Sequence, residues 1–116
     1  MKHYLCVFTG SPNAMEAWQT LPEAERERRH RAGFDGWTKW MQDHADDIVE
    51  TGGPLGRTKR VAKDGISDIR NNLAAYIVLQ ADSQEAAARM FLEHPHFMLF
   101  PGDGVEVMEI LPIPTR

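Results

Sequence analysis

The hydrophobic pattern of the chain predicts four strands. Each is rich in apolar residues, and together they span residues 2–9, 48–51, 73–80 and 105–111. The first is apolar at both alternating sets of positions, which is typical of a strand covered on both faces. The third is the clearest, with Ile77 and Leu79 on one face and Tyr76 and Val78 on the other. A sheet that is apolar on both sides is therefore expected.

Two segments have helical periodicity. The first, residues 22–46, carries an apolar stripe with helical spacing. That stripe consists of Trp37, Met41, His44 and Ile48. The second segment, residues 82–94, begins with an acidic capping box at Asp82 and stops before Pro95. The two helices separate the first strand from the second and the third strand from the fourth.

Glycines interrupt this pattern at three places. Gly33 and Gly36 lie inside the first helix, where each costs about 1 kcal/mol relative to alanine. They indicate either a break in that helix or the close approach of another backbone. Residues 10–13 end the first strand. The Asp-Gly step at residues 64–65 is a hairpin-turn signal, so residues 55–72 form a small excursion that is a hairpin, a lid or an interface arm.

The element order β-α-β-β-α-β predicts a ferredoxin-like α+β fold with an antiparallel sheet. We expect a single domain that spans residues 1–116. Two helices cover only one face of a four-stranded sheet, yet the first and third strands are apolar on both faces. A second copy of the chain is the economical cover for the other face, so a two-fold homodimer is predicted.

Charge and composition narrow the function. The net charge of -4 argues against nucleic acid as a partner, because a phosphate backbone attracts a basic surface. The basic run at residues 26–31 is interleaved with acid, and it is either a solvated helix face or an anion site. Cys6 is the only cysteine, which favours a reducing compartment and a small buried side chain. No apolar run is long enough to span a bilayer, and the first strand leaves no room for a signal peptide, so a cytoplasmic protein is expected.

Four stretches resemble the YCII-related family of the dimeric α+β barrel superfamily. They are residues 52–55, 75–87, 94–96 and 105–108, which read GGPL, AYIVLQADSQEAA, HPH and VEVM. The resemblance covers nearly the whole chain. It implies a ferredoxin-like fold and a dimer that closes a barrel. The superfamily includes monooxygenases, isomerases, dehalogenase-like proteins and effector-binding domains, so the resemblance implies a small-molecule ligand without naming a reaction.

The chain departs from the best-known branch of that family at two positions. That branch carries a histidine in the first helix, proposed to pair with an aspartate. The histidine position falls near Gly36 here, and His94 stands before the proline where aspartate is common in that branch. Any acid–base chemistry is therefore expected from other residues.

His96 is the best candidate for that chemistry. It follows Pro95 in a short segment between the second helix and the last strand, and an ordinary histidine pKa near 6.5 suits proton transfer at neutral pH. The alternative interpretation is structural, with His94 capping the end of the second helix and His96 packed in a turn. A metal site is not expected: His94, His96 and Asp103 lack the short ligand spacing typical of one.

Asn72, Trp37 and Tyr76 are the predicted substrate-binding residues. The Asn72 amide donates and accepts hydrogen bonds, which suits a substrate carbonyl or carboxylate, but asparagine also favours turns. Trp37 and Tyr76 either line an aromatic pocket or belong to the core. No motif for a nucleotide or redox cofactor is present, since the pair at residues 52–53 is too short for a phosphate loop.

These observations predict a pocket between the sheet and the helices, bordered by Trp37, Asn72, Tyr76 and His96. The leading hypothesis is a small-molecule-handling homodimer, in one version an enzyme without a cofactor. In that version His96 is the general acid or base, Asn72 orients the substrate and the aromatic side chains exclude water. The rival hypothesis is a non-catalytic ligand-binding or assembly module.

Overall fold

The computed structural model of the protein describes residues 1–115, in which six strands and four α-helices are present. The strands are β1 (Lys2–Thr9), β2 (Ile48–Pro54), β3 (Thr58–Ala62), β4 (Gly65–Ile69), β5 (Leu73–Ala81) and β6 (Gly104–Glu109). The helices are α1 (Pro12–Gln19), α2 (Glu23–Asp43), α3 (Gln84–Arg89) and α4 (Pro95–Met98), with a 3₁₀ turn at Ala45–Asp47. Arg116, the last residue of the predicted domain, lies outside the described residues.

Four of the strands form one antiparallel sheet in the order β2-β5-β1-β6. β5 lies between β1 and β2, and β6 lies on the other side of β1. This is the strand order of a ferredoxin-like unit, in which β1-α2-β2 and β5-α3-β6 are the two halves. The predicted ferredoxin-like α+β class is therefore confirmed.

Alternate residues of the central strands build the core on one face of the sheet. Tyr4 and Cys6 of β1 stand opposite Leu79 and Ile77 of β5, and all four are buried. The helical side chains that cover them are Trp40 from α2 and Ala87 and Phe91 from α3 and the turn after it. The predicted assignment of Ile77 and Leu79 to one face of their strand is thus confirmed.

The opposite face of the sheet, called here the free sheet face, is not covered by any helix. In register across β5, β1 and β6 it carries two rows of residues, Val78-Leu5-Met108 and Tyr76-Val7-Glu106. Leu5, Val7 and Val78 are apolar and lie at its centre. Met108 is 42% exposed because nothing in the protomer packs on it. This face is the one for which the sequence predicted a second copy as cover.

α2 runs unbroken through both of its internal glycines. A Cβ on Gly33 would overlap the ring of Phe100, and a Cβ on Gly36 would lie 3.0 Å from Cγ of Pro95. The glycines therefore allow the segment after α3 to pack closely on α2. Of the two predicted alternatives, a break or a close approach, the structure has the close approach, made by side chains.

The starts of two helices differ from prediction. Residues 10–13 were expected only to end β1, but α1 begins there because Ser11 caps it, its hydroxyl accepting a hydrogen bond from Ala14 N at 3.4 Å. The sequence signal was the Ser-Pro pair, since proline suits the first position of a helix. At α3 the cap is Ser83 rather than Asp82.

The second predicted helix is also shorter than expected. α3 ends at Arg89 instead of continuing to residue 94, and Glu93 in the following turn adopts a left-handed φ of 59°. Pro95 does not merely stop a helix: it is the first residue of α4. Proline is favoured at that position because its missing N–H would have no intrahelical partner there.

β3 and β4 form a two-stranded ribbon that projects from the sheet. The Asp64-Gly65 turn signal is confirmed, since Ala62 pairs with Gly65 across the turn. The protein measures 58 × 41 × 19 Å, and its radius of gyration is 16.3 Å. A compact chain of about 100 residues would have a radius near 13 Å. The ribbon accounts for this elongation, because every residue of β4 is exposed.

β2 continues to Pro54, beyond residue 51, where the predicted strand ends. Its pairing with β5 is bulged, with register shifts on either side of Glu50. Gly52 has a φ of 61°, and a Cβ there would overlap the carbonyl oxygen of Tyr76. The bulge therefore requires glycine at residue 52.

Gly52→Ala is expected to lower the free energy of unfolding by about 2 kcal/mol or more, because the new Cβ combines left-handed strain with a backbone clash. Gly53→Ala is the matched control: a Cβ there meets nothing within 4 Å. It is expected to change the same quantity by less than about 1 kcal/mol. Urea denaturation of both variants measures the difference, and equal stabilities would contradict the role given to the bulge.

Candidate functional site

Two histidines and four aromatic side chains pack together beneath α2. This ring cluster consists of Phe8, Trp37, Trp40, Phe91, His94 and His96. His94 lies at its centre with 1% of its surface exposed. Its ring centroid is 4.6 Å from that of Trp37, 4.9 Å from that of Trp40 and 5.2 Å from that of Phe8. The cluster therefore ties the end of β1 to α2 and to the segment before α4.

His94 is the N-terminal cap of α4. Its Nδ1 accepts a hydrogen bond from the backbone N–H of His96 at 3.0 Å, so the neutral ring carries its proton on Nε2. Among residues 1–115, that Nε2 is the one buried side-chain nitrogen or oxygen without a hydrogen-bond partner. Burial, followed by the charges of His96 and His44, lowers the pKa of His94 to about 4. The ring is thus neutral at neutral pH, and it caps α4 rather than the helix before it.

His96 is held by the end of β1. Its Nε2 donates a hydrogen bond to the carbonyl oxygen of Thr9 at 2.7 Å, and the N–H of Asp103 donates to the same oxygen at 2.9 Å. Gly102 packs directly on the His96 ring, where any Cβ would overlap it. His96 is 8% exposed. Because Nε2 is engaged, Nδ1 is the ring nitrogen left for proton transfer.

A cavity of about 200 Å³ lies between α2 and the β2–β5 side of the sheet. Its apolar walls are Phe8, Trp37, Met41, Pro54, Ala75 and Ile77, and its remaining lining residues are Thr51, Gly53 and Tyr76. An apolar cavity of about 150 Å³ is large enough to hold benzene. The cavity therefore has room for one aromatic ring, with the Thr51 hydroxyl as a polar contact.

The structure brings two of the four predicted site residues together. Trp37 belongs to both the ring cluster and the cavity wall, and its ring centroid lies 6.1 Å from that of His96. His96 itself does not line the cavity; Phe8 and Trp37 stand between them. The pocket expected between sheet and helices thus exists in the structure, with the histidine set behind its wall.

Of the other two predicted residues, Asn72 lies apart, and Tyr76 borders the same cavity as Trp37. Asn72 is exposed. Its backbone carbonyl oxygen accepts a hydrogen bond from the N–H of Gly10 at 2.9 Å, which is a turn contact. Tyr76 borders the cavity, but its hydroxyl donates to Glu50 on the free sheet face at 2.7 Å. That hydrogen bond raises the pKa of Tyr76.

Phe8 and Met41 are the site residues that sequence reasoning did not single out. Phe8 contacts the rings of Trp37, His94 and His96 at centroid distances of 5.1–5.2 Å. Its signal was its place as the last inward-facing aromatic of the first strand. Met41 was visible as a member of the helical stripe, but a stripe does not distinguish a cavity wall from a filled core.

Other candidate groups have structural roles. Burial raises the pKa of the Cys6 thiol to about 12, which leaves it unreactive. Within the basic run of α2, Arg28 and Arg29 form ion pairs with Glu25 at 2.7 and 2.8 Å, and these hydrogen bonds lower the pKa of Glu25 to about 2. Among residues 1–115, no group of three or more His, Cys, Asp or Glu side chains is placed to hold a metal ion. None of the helices in that range is long and apolar enough to cross a membrane.

Comparison with known proteins bears on the fold. No protein-family model matches the chain, and no curated protein matches it in sequence. Among solved structures it is similar to 5-chloro-2-hydroxyhydroquinone dehydrochlorinase (TftG) from Burkholderia phenoliruptrix AC1100, in complex with 2,5-dihydroxybenzoquinone. The TM-score is 0.51 at 13% identity, over 90% of this chain and 89% of that one. At this identity the likeness shows the fold alone.

The buried neutral His94 is expected to make the protein sensitive to acid. Its pKa is about 4 when folded and 6.5 when exposed, so between these values the unfolded chain binds a proton that the folded chain does not. The free energy of unfolding therefore falls as the pH drops below 6.5, by about 1.4 kcal/mol per pH unit and about 3 kcal/mol in all. Urea denaturation between pH 4 and pH 8 measures the slope.

His94→Asn is the matched variant for this measurement. Asparagine is a favoured N-cap whose side-chain oxygen also accepts the His96 N–H, but it does not titrate. We expect the variant to lose the slope that one histidine contributes, whatever its stability at pH 8. A variant with the same pH slope as the natural protein would show that His94 is protonated in the folded state.

Proposed function

We propose that this protein binds and converts a small molecule with a single aromatic or quinoid ring in the cavity beside Trp37. The observation that carries the proposal is the cavity itself, whose volume of about 200 Å³ matches one ring. Its walls are mainly apolar, and Thr51 is the hydroxyl-bearing residue at its border whose hydroxyl is not engaged on the free sheet face. This combination is typical of small-molecule sites, in which a few polar groups orient a mainly apolar ligand.

The solved relative supports the choice of ligand class. TftG is a dehydrochlorinase of a chlorinated hydroxyhydroquinone, and its structure holds 2,5-dihydroxybenzoquinone, a compound with one ring. The two chains share a fold over most of their lengths but only 13% of their residues. The comparison therefore supports a ring of this size as the first probe and leaves the reaction to experiment.

In the enzymatic form of this proposal, His96 is the general acid or base. Its Nε2 is tied to Thr9, so Nδ1 exchanges the proton. Proton transfer requires direct contact or one bridging water. Because Trp37 stands between His96 and the cavity, the proposal requires the Trp37 ring to shift when substrate binds. His94 stays neutral beside it and adds no competing charge.

We also propose that the protein acts as a homodimer. The free sheet face carries Leu5, Val7, Val78 and Met108; Val7 and Val78 are only 7% and 8% exposed, whereas Met108 and Ile110, which follows β6, are 42% and 49% exposed. A contiguous apolar sheet face of this kind is unusual on a monomer. A second copy placed face to face would cover both sheets with the same residues, as a two-fold interface requires.

A non-catalytic ligand-binding module is the second candidate. One observation favours it: both histidines make structural hydrogen bonds, since His94 caps α4 and His96 donates to Thr9. In this version the cavity holds a ligand that the protein does not alter.

Ligand binding is tested with 2,5-dihydroxybenzoquinone and hydroquinone as probes, by calorimetry and by Trp fluorescence. Ala75→Leu fills the cavity with a larger side chain and is expected to weaken binding at least about tenfold, which is the loss of about 1.4 kcal/mol. Ala24→Leu, an exposed change on α2, is the control and is expected to bind as the natural protein does. No saturable binding, or equal binding by both variants, would refute the cavity as the site.

His96→Gln separates the two candidates. The glutamine amide can keep the hydrogen bond to Thr9, but it cannot exchange a proton. Conversion of 5-chloro-2-hydroxyhydroquinone and related hydroquinones is followed by liquid chromatography and mass spectrometry. An enzyme using His96 should retain its ligand affinity and lose roughly 10²–10⁴-fold in turnover. Retained turnover would assign His96 a structural role, and binding without any conversion would favour the module.

A further inference from the structure

The ribbon, defined as residues 57–70, is the part of the protein with the least cover. Val61 and Ile66 are paired across it, yet they are 76% and 71% exposed. Both lie near the tip of the ribbon, away from the sheet. No residue of the ribbon is buried. Two adjacent large apolar side chains are thus presented to the surroundings at the end of an extended arm.

A ribbon of this kind needs an external surface to hold its shape. A two-stranded hairpin alone is marginally stable in water, because it has no third strand and no apolar layer behind it. The internal contacts of this one are a short ladder and two ion pairs, Lys59–Asp68 and Arg60–Asp64. Exposed ion pairs contribute little, since solvent screens them. The missing apolar layer must come from outside the protomer.

Charge indicates which surface that is. The ribbon contains five cations (Arg57, Lys59, Arg60, Lys63 and Arg70) and two anions (Asp64 and Asp68), a net charge of +3. Since the whole chain has a net charge of -4, the remainder carries -7. A basic arm on an acidic body is complementary to a second copy of the same molecule.

The free sheet face has the matching chemistry. Its carboxylates are Glu50, which receives the Tyr76 hydroxyl, and Glu106, which lies opposite Val7 on β6. No Lys or Arg occupies a position on this face in the described strands β1, β2, β5 and β6. The face therefore combines apolar residues at its centre with negative charge on β2 and β6.

We propose that the ribbon is an exchanged arm: in a dimer, each ribbon lies against an edge strand of its partner's free sheet face, where β2 and β6 each carry a carboxylate. The proposal rests on the proposed dimer and adds the segment that holds it together. Val61 and Ile66 contribute the apolar contact, and the unpaired cations of the ribbon contribute the electrostatic one. Of the alternatives open from the sequence, the interface arm is the one that the charges favour.

Arg57 and Arg70 strengthen the assignment. They directly flank Thr58 and Ile69, the last pair of the ribbon ladder, so both arginines lie at its base. Like charges opposite one another on neighbouring strands destabilise a ribbon. Neither arginine forms an ion pair among residues 1–115, and both border a depression of about 880 Å³. A carboxylate of the partner placed there would relieve the repulsion.

A charge exchange between two variants tests the arm. Arg57→Glu/Arg70→Glu makes the ribbon acidic, and Glu50→Lys/Glu106→Lys makes the sheet face basic. Each variant alone should dimerise at least about tenfold more weakly than the natural protein, because like charges then meet. An equimolar mixture should recover tight heterodimers, since both arm contacts are then between opposite charges. Sedimentation equilibrium gives the constants, and native mass spectrometry identifies the heterodimer.

Arg31→Glu/Arg89→Glu is the matched control, with the same change in net charge on helices away from the free face. It should dimerise as the natural protein does. A natural protein that is monomeric at high concentration would overturn both the dimer and the arm. A natural dimer whose constant is unchanged in the ribbon variant, or a mixture without heterodimers, would overturn the arm alone and leave the cavity and the dimer standing.

Hydrogen exchange gives an independent measure. If the partner supports the ribbon, the backbone amides of residues 58–69 should exchange slowly in concentrated protein and much faster on dilution below the dimer constant. Val61→Ser/Ile66→Ser should exchange fast at both concentrations, while the amides of β1 and β5 keep their protection. Ribbon amides that are equally protected at all concentrations would show that the hairpin is stable by itself, which contradicts the arm. Capture of an anionic polymer such as RNA by the natural ribbon, without dimerisation, would do the same.

Discussion

The position of residues 94–103, which include both histidines, depends on the carbonyl oxygen of Thr9. It accepts hydrogen bonds from His96 Nε2 at 2.7 Å and from Asp103 N at 2.9 Å. Ser11, two residues after Thr9, donates hydrogen bonds from its backbone N–H and its hydroxyl to the Asp103 carboxylate. The start of α1, the loop into β6 and α4 are therefore fastened to the end of β1. Without these bonds, α4 would be held only by packing, on α2 and on Phe8 of β1.

The ring cluster determines the environment of the two histidines. His94 is enclosed by Trp37, Trp40 and Phe8, which exclude water and keep the ring uncharged. Trp37 then separates this dry cluster from the cavity on its other side. One tryptophan is thus shared by the buried histidines and by the space where a ligand ring fits. Any coupling between a ligand in the cavity and the histidines has to pass through Trp37 or Phe8.

The two faces of the sheet differ in what covers them. α2 and α3 cover one face, and the close packing at Gly33 and Gly36 draws the segment of residues 94–102 onto the same side. The other face keeps an apolar centre with carboxylates on β2 and β6, and the basic ribbon projects from the edge strand that borders it. This asymmetry arises because α2 and α3 both pack on the same face of the sheet. It is the physical basis for the proposed dimer.

The sequence by itself determined the strands, the two faces of β5, the hairpin at Asp64-Gly65 and the ferredoxin-like order, because these depend on local periodicity and turn chemistry. It also indicated that Gly33 and Gly36 were unusual in a helix. Only the tertiary structure decided which partners the histidines have: Thr9 and His96 are 87 residues apart, and no local pattern links them. For the same reason Asn72 was placed in a pocket with Trp37, although it makes a turn contact, and the Tyr76 hydroxyl, although Tyr76 borders the cavity, hydrogen-bonds to Glu50 on the opposite face. Periodicity reports which side of an element is apolar, whereas a site depends on which distant elements pack together.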